Sequence, residues 1–433
     1  MKVLMFGWEF PPHISGGLGT ASYGLTKGLS MLDDVNVTFV MPKSAGSDGE
    51  GWLRLIGADE IPVRQKRVHI EGFLKQLTNI EVGVNIFPYI DPEEYSKFDV
   101  DTWLDNNKYI TTDSSGKFDF KGGYGPTLME EISKYALVAS TLAVEEKFDI
   151  IHAHDWLCYP AGIAAKHISG KPLVIHVHAT DFDRSGGAVN PAVFDIEKKG
   201  MEIADKVITV SNLTRKTVIE KYGIDPSKVI TVYNAVEPVV QKENISAEKS
   251  FDEKVVTFLG RITMQKGPEY FVEAAALLLK RMDNVRFVMA GSGDMMPKIV
   301  RRAARLGITD RFHFTGFLRG DDVYRMLYMS DVYVMPSVSE PFGISPLEAM
   351  QSNVPVIISH QSGVAEVLSH AIKIDFWDTH AMADAIYGIL NYPALHGFFK
   401  THGKTEVDSL KWENSAINVR AVYYNALGMS SKI

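Results

Sequence analysis

Short apolar runs alternate with segments of helical spacing along almost the whole chain. "KVLMFGW", "VNVTFVM", "FDIIHAH", "PLVIHVH", "KVITVS" and "KVITVYN" are apolar on both faces, the mark of strands buried in a parallel sheet. Between them "TASYGLTKGLSML", "PTLMEEISKYALVASTLAVEEK" and "LTRKTVIEKYG" carry apolar residues at helical spacing and predict covering helices. A lysine- and glutamate-rich stretch near 237–253 interrupts the pattern and reads as a linker. The alternation then restarts with "KVVTFLG", "VRFVMAG", "RFHFTG", "DVYVMP", "PVIIS" and "AIKID", each followed by a helical pattern. Two doubly wound, Rossmann-like α/β domains in series are predicted, over residues 1–236 and 254–405. A last helix within 411–433 is expected to pack back on the N-terminal domain.

Two segments break this rhythm. Residues 42–52 are a loop by composition. Residues 80–125 are long, polar and rich in aromatics, and are expected to form a lid or recognition loop that reads an acceptor, with Tyr124 as one contact.

Composition narrows the class of protein. The 433 residues suit two domains of about 200 each. A hydrophobic fraction of 45% can fill two cores, and a net charge of −8 gives no basic surplus for nucleic acid or an anionic membrane. The lone Cys158 excludes an intramolecular disulfide framework and fits a reducing compartment. The opening "MKVLMFGWEF" reads as a buried strand instead of a leader, and no window approaches eighteen apolar residues. A cytoplasmic protein without an integral membrane segment is expected.

In open α/β sheets ligands bind outside the carboxyl ends of the strands. After the first strand, "HISGGLGTA" offers Gly16 and Gly17, whose backbone N–H groups can approach an anion at a helix start. A nicotinamide enzyme would need an acid at the end of the second strand, where Val40 and Met41 stand. After the first strand of the second domain, Arg261 and Lys266 sit five positions apart on a glycine-bounded loop and suit a diphosphate leaving group. "HAHDW" and "VIHVHATDFDR" place histidines on two strand ends. Alternation leaves His154 and His178 nearest the cleft, with Asp155 at a strand tip, while His152 and His176 read as hydrogen-bonded strand residues. No helical ligand spacing or thiolate cluster points to a metal, and none is expected. Finally, "SVSEPFGISPLEAM" carries Glu340 and Glu348 around a Pro-Phe-Gly turn. Ser345, Pro346 and Glu348 also form a Ser-x-x-Glu capping box with proline at the first helical position, so a plain helix start competes with a working acid.

The ordered set SGGLG, HDW, strand-end histidine, R-x4-K, FTGF and E-x7-E resembles retaining glycosyltransferases of the GT-B fold, family four, and their archaeal-type glycogen and starch synthase relatives. The resemblance spans essentially the whole chain. It implies two Rossmann-like domains facing a cleft that closes about a hinge. It implies that Arg261 and Lys266 grip the diphosphate of a nucleotide sugar, and that Glu348 holds the ribose hydroxyls. Glu340 and the backbone amides of Phe342, Gly343 and Ile344 would hold donor sugar and phosphate, and Gly17 would close the phosphate site. His178 would sit beside the donor sugar and Asp155 on the acceptor side. One departure stands out: bacterial glycogen synthases usually carry a lysine two places before the glycine pair, where this chain has Ile14.

The expected activity is transfer of glucose from a nucleotide-glucose to an α-1,4-glucan, without metal or cofactor. Glu340 is assigned to binding and charge stabilisation, with a nucleophilic role as the alternative. The nearest rival is a hexosyltransferase acting on a lipid-linked or surface-polysaccharide acceptor, with residues 63–77 as the candidate docking face. A nicotinamide oxidoreductase and a non-catalytic sugar-binding protein are less favoured. The motifs do not select donor base, sugar, acceptor or oligomeric state.

Overall fold

A computed structural model describes residues 1–11, 16–43, 51–63, 67–69, 109–122, 127–238, 249 and 251–429. Tyr124, Ile14, most of 63–77 and residues 80–108 therefore lie outside the described residues. The chain divides into two compact units. The first is Met1–Phe182, Gly187–Asn234 and the chain from Trp412 onward; the second is Asp183–Gly186 and Ala235–Lys411.

In the first unit the strands are β1 (Lys2–Phe6), β2 (Asn36–Met41), β3 (Arg54–Gly57), β4 (Arg67–His69), β5 (Tyr109–Thr111), β6 (Ile150–His154), β7 (Leu173–Val177), β8 (Lys206–Thr209) and β9 (Val229–Thr231). The helices are α1 (Gly17–Ser30), α2 (Leu128–Glu145), α3 (Tyr159–Ser169), the short α4 (Asp181–Ser185, whose last residues group with the second unit), α5 (Pro191–Ile203) and α6 (Asn212–Tyr222). Seven parallel strands form one sheet in the order β3-β2-β1-β6-β7-β8-β9, and β4 and β5 pair as a separate antiparallel ribbon. β3, β4 and β5 lie outside the predicted pattern, being short and carrying arginine or tyrosine where an apolar run would announce a strand.

The second unit contains β10 (Lys254–Leu259), α7 (Pro268–Leu278), β11 (Val285–Ala290), α8 (Met296–Arg305), β12 (Phe312–Gly316), α9 (Asp321–Tyr328), β13 (Val332–Met335), α10 (Ser345–Gln351), β14 (Val356–Ser359), β15 (Ile372–Ile374), α11 (Thr379–Asn391) and α12 (Pro393–Val407). Its six strands run parallel in the order β12-β11-β10-β13-β14-β15. The strand order reverses beside β1 and β6 in the first sheet and beside β10 and β13 in the second. At such a reversal the flanking loops diverge to opposite faces and leave a crevice at the strand ends. The loops carrying Gly16, Asp155, Lys266 and Glu340 leave these four strands.

The end of the aromatic insertion packs into the core, contrary to the expectation of a loop free to read a ligand. Phe118 and Phe120 are buried in the first unit's core. The N–H groups of Lys121 and Gly122 donate to the buried Glu131 carboxylate, at 3.0 and 3.3 Å. Two apolar rings and a paid-for buried acid make this stretch structural.

The final helix, α13 (Trp412–Ala426), belongs to the first unit and lies against α1. Gly24 and Gly28, one helical turn apart on α1, permit the approach. A Cβ at Gly24 would lie 2.2 Å from Trp412 Nε1, and one at Gly28 would lie 2.7 Å from the Trp412 carbonyl oxygen. Arg420 then reaches Asp34 at 3.1 Å, and Tyr424 donates to the same carboxylate. Tyr423 meets Nδ1 of His152 at 2.6 Å. A Gly24→Ala substitution forces the Trp412 ring to move in a packed interface and is expected to lower unfolding free energy by about 1–3 kcal/mol. Urea denaturation of the purified variant measures this, and a midpoint equal to that of the parent would contradict the packing described.

Candidate active site

The glycines after β1 are not required by their own backbone. Gly16 is extended, at φ −172°, and caps α1 without any side-chain hydrogen bond. Among the described residues, a Cβ at Gly16 or Gly17 would meet nothing within 4 Å. Their smallness keeps open space at a helix N-terminus, which is where an anion is stabilised.

Asp155 follows β6 with φ 59° and ψ 167°, a region that side-chain-bearing residues rarely enter and that costs about 1–3 kcal/mol. Its N–H donates to the His176 carbonyl at 2.9 Å and its carbonyl accepts from Cys158, so the turn is held on both sides. Such strain, maintained at a strand end, marks a place where side-chain direction matters more than backbone comfort.

Four histidines stand on one face of β6 and the end of β7. His152 stacks on His154 at 4.3 Å and His176 on His178 at 4.4 Å, with small interplanar angles. His154 Nδ1 and His178 Nε2 are 2.9 Å apart. Burial holds His154 and His176 well below the usual histidine range and pushes His152 down to about 3, so these three rings are neutral. His154 is wholly buried and only His178 is partly exposed, so alternation alone overstated the access of His154. The expectation of a satisfied His176 also fails, since neither ring nitrogen has a hydrogen-bond partner among the described residues. His152, His154 and His176 each place a nitrogen within 4.8 Å of the others. Their ring planes are inclined to one another by only 8–26°.

In the second unit, the loops after β10 and β13 are stitched together. Lys266 ends a single 3-10 turn, Met264–Lys266, and Gly267 follows at φ 65°. A Cβ at Gly267 would lie 2.1 Å from the Pro336 carbonyl oxygen, so only glycine lets this turn press against the end of β13. Val338 N–H donates to the Gln265 carbonyl at 2.8 Å. Across this seam Lys266 Nζ forms an ion pair with Glu340 Oε2, to which Ser337 Oγ also donates at 3.3 Å. Glu340 is fixed further by its N–H to Gln361 O at 2.9 Å and by its carbonyl accepting from Gly363 at 2.8 Å. Arg261 is exposed and donates to Gln265 Oε1 at 2.9 Å. The pair Arg261 and Lys266 thus flanks one strand end, with the second cation already beside a carboxylate.

Phe342, Gly343 and Ile344 lead into α10. Gly343 has φ 102°, and the N–H groups of Gly343 and Ile344 find no acceptor among the described residues. The predicted capping box does not form. Ser345 is the first helical residue; its hydroxyl bonds Tyr333 OH at 2.8 Å, and no side chain caps α10. Tyr333 draws the serine away because it is buried and must place its own hydroxyl, which also reaches Leu259 O at 3.3 Å. With that role gone, Glu348 is a partly exposed acid whose carboxylate receives no hydrogen bond among the described residues. Loss of water raises its pKa from 4.5 to about 7.

Sequence reading passed over Tyr333, Ser337, Gln265 and Asp183. Asp183, which groups with the second unit, accepts from Ser339 Oγ at 2.5 Å, next to Glu340. Ser337 and Ser339 stand inside the quoted "SVSEPFG", three and one positions before Glu340, and that proximity was the available signal.

The Glu348 shift fixes a pH dependence. Between pH 4.5 and about 7 the folded chain keeps a proton that the unfolded chain has released. Its stabilising contribution is complete below 4.5 and is lost as pH rises through about 7. Glu348→Gln cannot ionise, so at pH 8 it is expected to be the more stable protein. After discounting for partial exposure the difference is about 2 kcal/mol, closing toward acid pH. Urea unfolding at pH 8 and pH 5 tests this, and a Gln variant weaker at pH 8 would contradict it.

Residues 240–403 match the family model for glycosyl transferases group 1, and residues 125–239 match that for glycosyltransferase family 4. The chain is 28% identical, over the full length of both proteins, to an uncharacterized glycosyltransferase of Methanocaldococcus jannaschii. It is 23% identical to the glycogen synthase of Mycobacterium tuberculosis, over 91% of this chain and 87% of that one. Among solved structures, Anabaena HepE in complex with UDP-glucose is similar with a TM-score of 0.64 and 16% identity, covering 98% of this chain and 100% of the other. The chain has the GT-B fold, and the two adjacent matches support its assignment as a glycosyltransferase of the group 1 and family 4 kind.

Proposed function

We propose that the chain is a retaining glycosyltransferase that moves glucose from a nucleotide-glucose to the non-reducing end of an α-1,4-glucan. The observation that carries the reading is the Lys266–Glu340 ion pair on the seam between the loops after β10 and β13. The distant likeness to a glycogen synthase supports the acceptor class, and the UDP-glucose bound by the Anabaena protein supports the donor class.

The chemical task is to ionise the bond between sugar and phosphate. Negative charge grows on the departing diphosphate while the anomeric carbon becomes oxocarbenium-like. Arg261, Lys266 and the amides of Gly343 and Ile344 supply fixed positive ends for those oxygens. Arg261 contributes two donors in a plane, and its bond to Gln265 holds the guanidinium near the strand end. Lys266 is presented by its pairing with Glu340, and its charge is then shared between that carboxylate and the arriving phosphate. Glu340 balances the positive charge that develops on the sugar. Glu348 accepts from the ribose hydroxyls, and those donors favour its ionised form.

Retention follows from a same-face reaction in which the leaving phosphate takes the acceptor's proton. In this proposal His178 serves the donor sugar, Asp155 the acceptor, and Gly16 and Gly17 leave room for phosphate. Tyr124 keeps its proposed acceptor contact, outside the described residues. The cations named above carry the leaving-group charge, so no divalent ion enters the reaction.

A second acceptor class, lipid-linked or surface polysaccharide, is served by the same donor chemistry. Purified protein given a panel of nucleotide sugars with amylopectin or lipid-linked acceptors is expected to release nucleoside diphosphate with nucleotide-glucose and glucan. Release only with the lipid acceptors would replace the glucan reading. With the productive pair, Arg261→Ala is expected to lower kcat by about 10²–10³-fold. Near-parental turnover would remove Arg261 from the leaving-group site. Dialysis against EDTA is expected to leave the rate unchanged, and restoration of a lost rate by magnesium would overturn the metal-free proposal.

A further inference from the structure

We infer that His154 is a positioning residue that sets which nitrogen of His178 carries the proton, making His178 a donor through Nδ1–H. This rests on the placement of His178 beside the donor sugar; His154 itself touches no substrate in that reading.

The two rings meet through His154 Nδ1 and His178 Nε2 at 2.9 Å, a distance that requires one proton between them. His154 is fully buried, with His152 at 4.3 Å, His176 at 5.3 Å and Phe39 at 6.4 Å between ring centroids. Its ring is therefore packed in place and neutral, which leaves two arrangements.

In the first, His178 Nε2–H donates, and neutral His154 must carry its own proton on Nε2. That nitrogen is buried and has no partner among the described residues. A buried N–H without an acceptor loses its hydration with no return. In the second, His154 Nδ1–H donates, and its Nε2 is left as a bare lone pair. An unmet acceptor is the cheaper of the two, since orphaned buried N–H groups are the rarer defect. The second arrangement prevails, and it fixes the proton of His178 on Nδ1.

A free histidine side chain in water favours the proton on Nε2, so the strand partner reverses the intrinsic preference. The consequence at the sugar is a change of sign in hydrogen bonding. His178 offers an N–H toward a sugar oxygen where the other tautomer would offer a lone pair. A hydroxyl can meet either, but a donor from His178 leaves that hydroxyl's own proton for a second acceptor.

The test is spectroscopic and independent of turnover. Long-range ¹H–¹⁵N correlation of the full chain labelled at histidine, at pH 8, reports which nitrogen of each neutral ring is protonated. The His178 signals are identified by their loss in His178→Gln. The parent protein is expected to show His178 protonated on Nδ1, and His154→Phe is expected to return it to Nε2–H. With a productive donor and acceptor, His154→Phe is expected to lose about tenfold in kcat/KM, the scale of one hydrogen bond.

A parent spectrum with the proton of His178 on Nε2 overturns the inference, and that measurement stands even if the variant does not fold. An unchanged His178 signature in His154→Phe also overturns it. If no nucleotide sugar is turned over, the donor-site reading fails while the tautomer assignment is still decided by the spectrum.

Discussion

The ion pair between Lys266 and Glu340 is the interaction on which the second unit's site depends. It joins the loop after β10 to the loop after β13, and the Val338–Gln265 backbone bond and the glycine at 267 hold those loops in contact. Neither charge stands alone in a poorly hydrated place, which would cost more than an exposed pair returns. The pair also keeps a cation at the strand end without committing it fully, since a phosphate brings stronger and more numerous oxygens than one carboxylate. Removing either partner would therefore disturb both the loop geometry and the local charge.

Topology explains why these residues stand at the strand ends of each unit. In each sheet the strand order reverses once, beside β1 and β6 and beside β10 and β13. Loops leaving those strands part to opposite faces, and each of the four carries a residue named from sequence alone. The strained Asp155 and Gly16, where a side chain would meet nothing among the described residues, both stand on these loops.

Much of this was legible in the chain because buried parallel strands advertise themselves. "PLVIHVH" and "PVIIS" are apolar on both faces and have no other plausible fate. β3 was not legible: "RLIG" is short, begins with arginine and follows a loop, and it becomes a strand only because β2 offers an edge. Phe118 and Phe120 looked like loop aromatics until the core that receives them was known. The capping box at Ser345 was a sound local pattern that lost to a long-range partner, Tyr333, and no spacing rule contains that hydroxyl. The histidine array shows the same limit. Alternation put four rings on one face, but which are buried and which bond each other depends on α13 and on neighbouring strands.

The central claim is that Arg261 and Lys266 absorb the charge that a nucleotide sheds when its sugar departs. A crystal structure of the protein with a bound nucleoside diphosphate tests it most directly. The account predicts diphosphate oxygens within hydrogen-bond distance of Lys266 Nζ and the Arg261 guanidinium, with the ribose at Glu348. A well-ordered diphosphate lying away from both cations would contradict it.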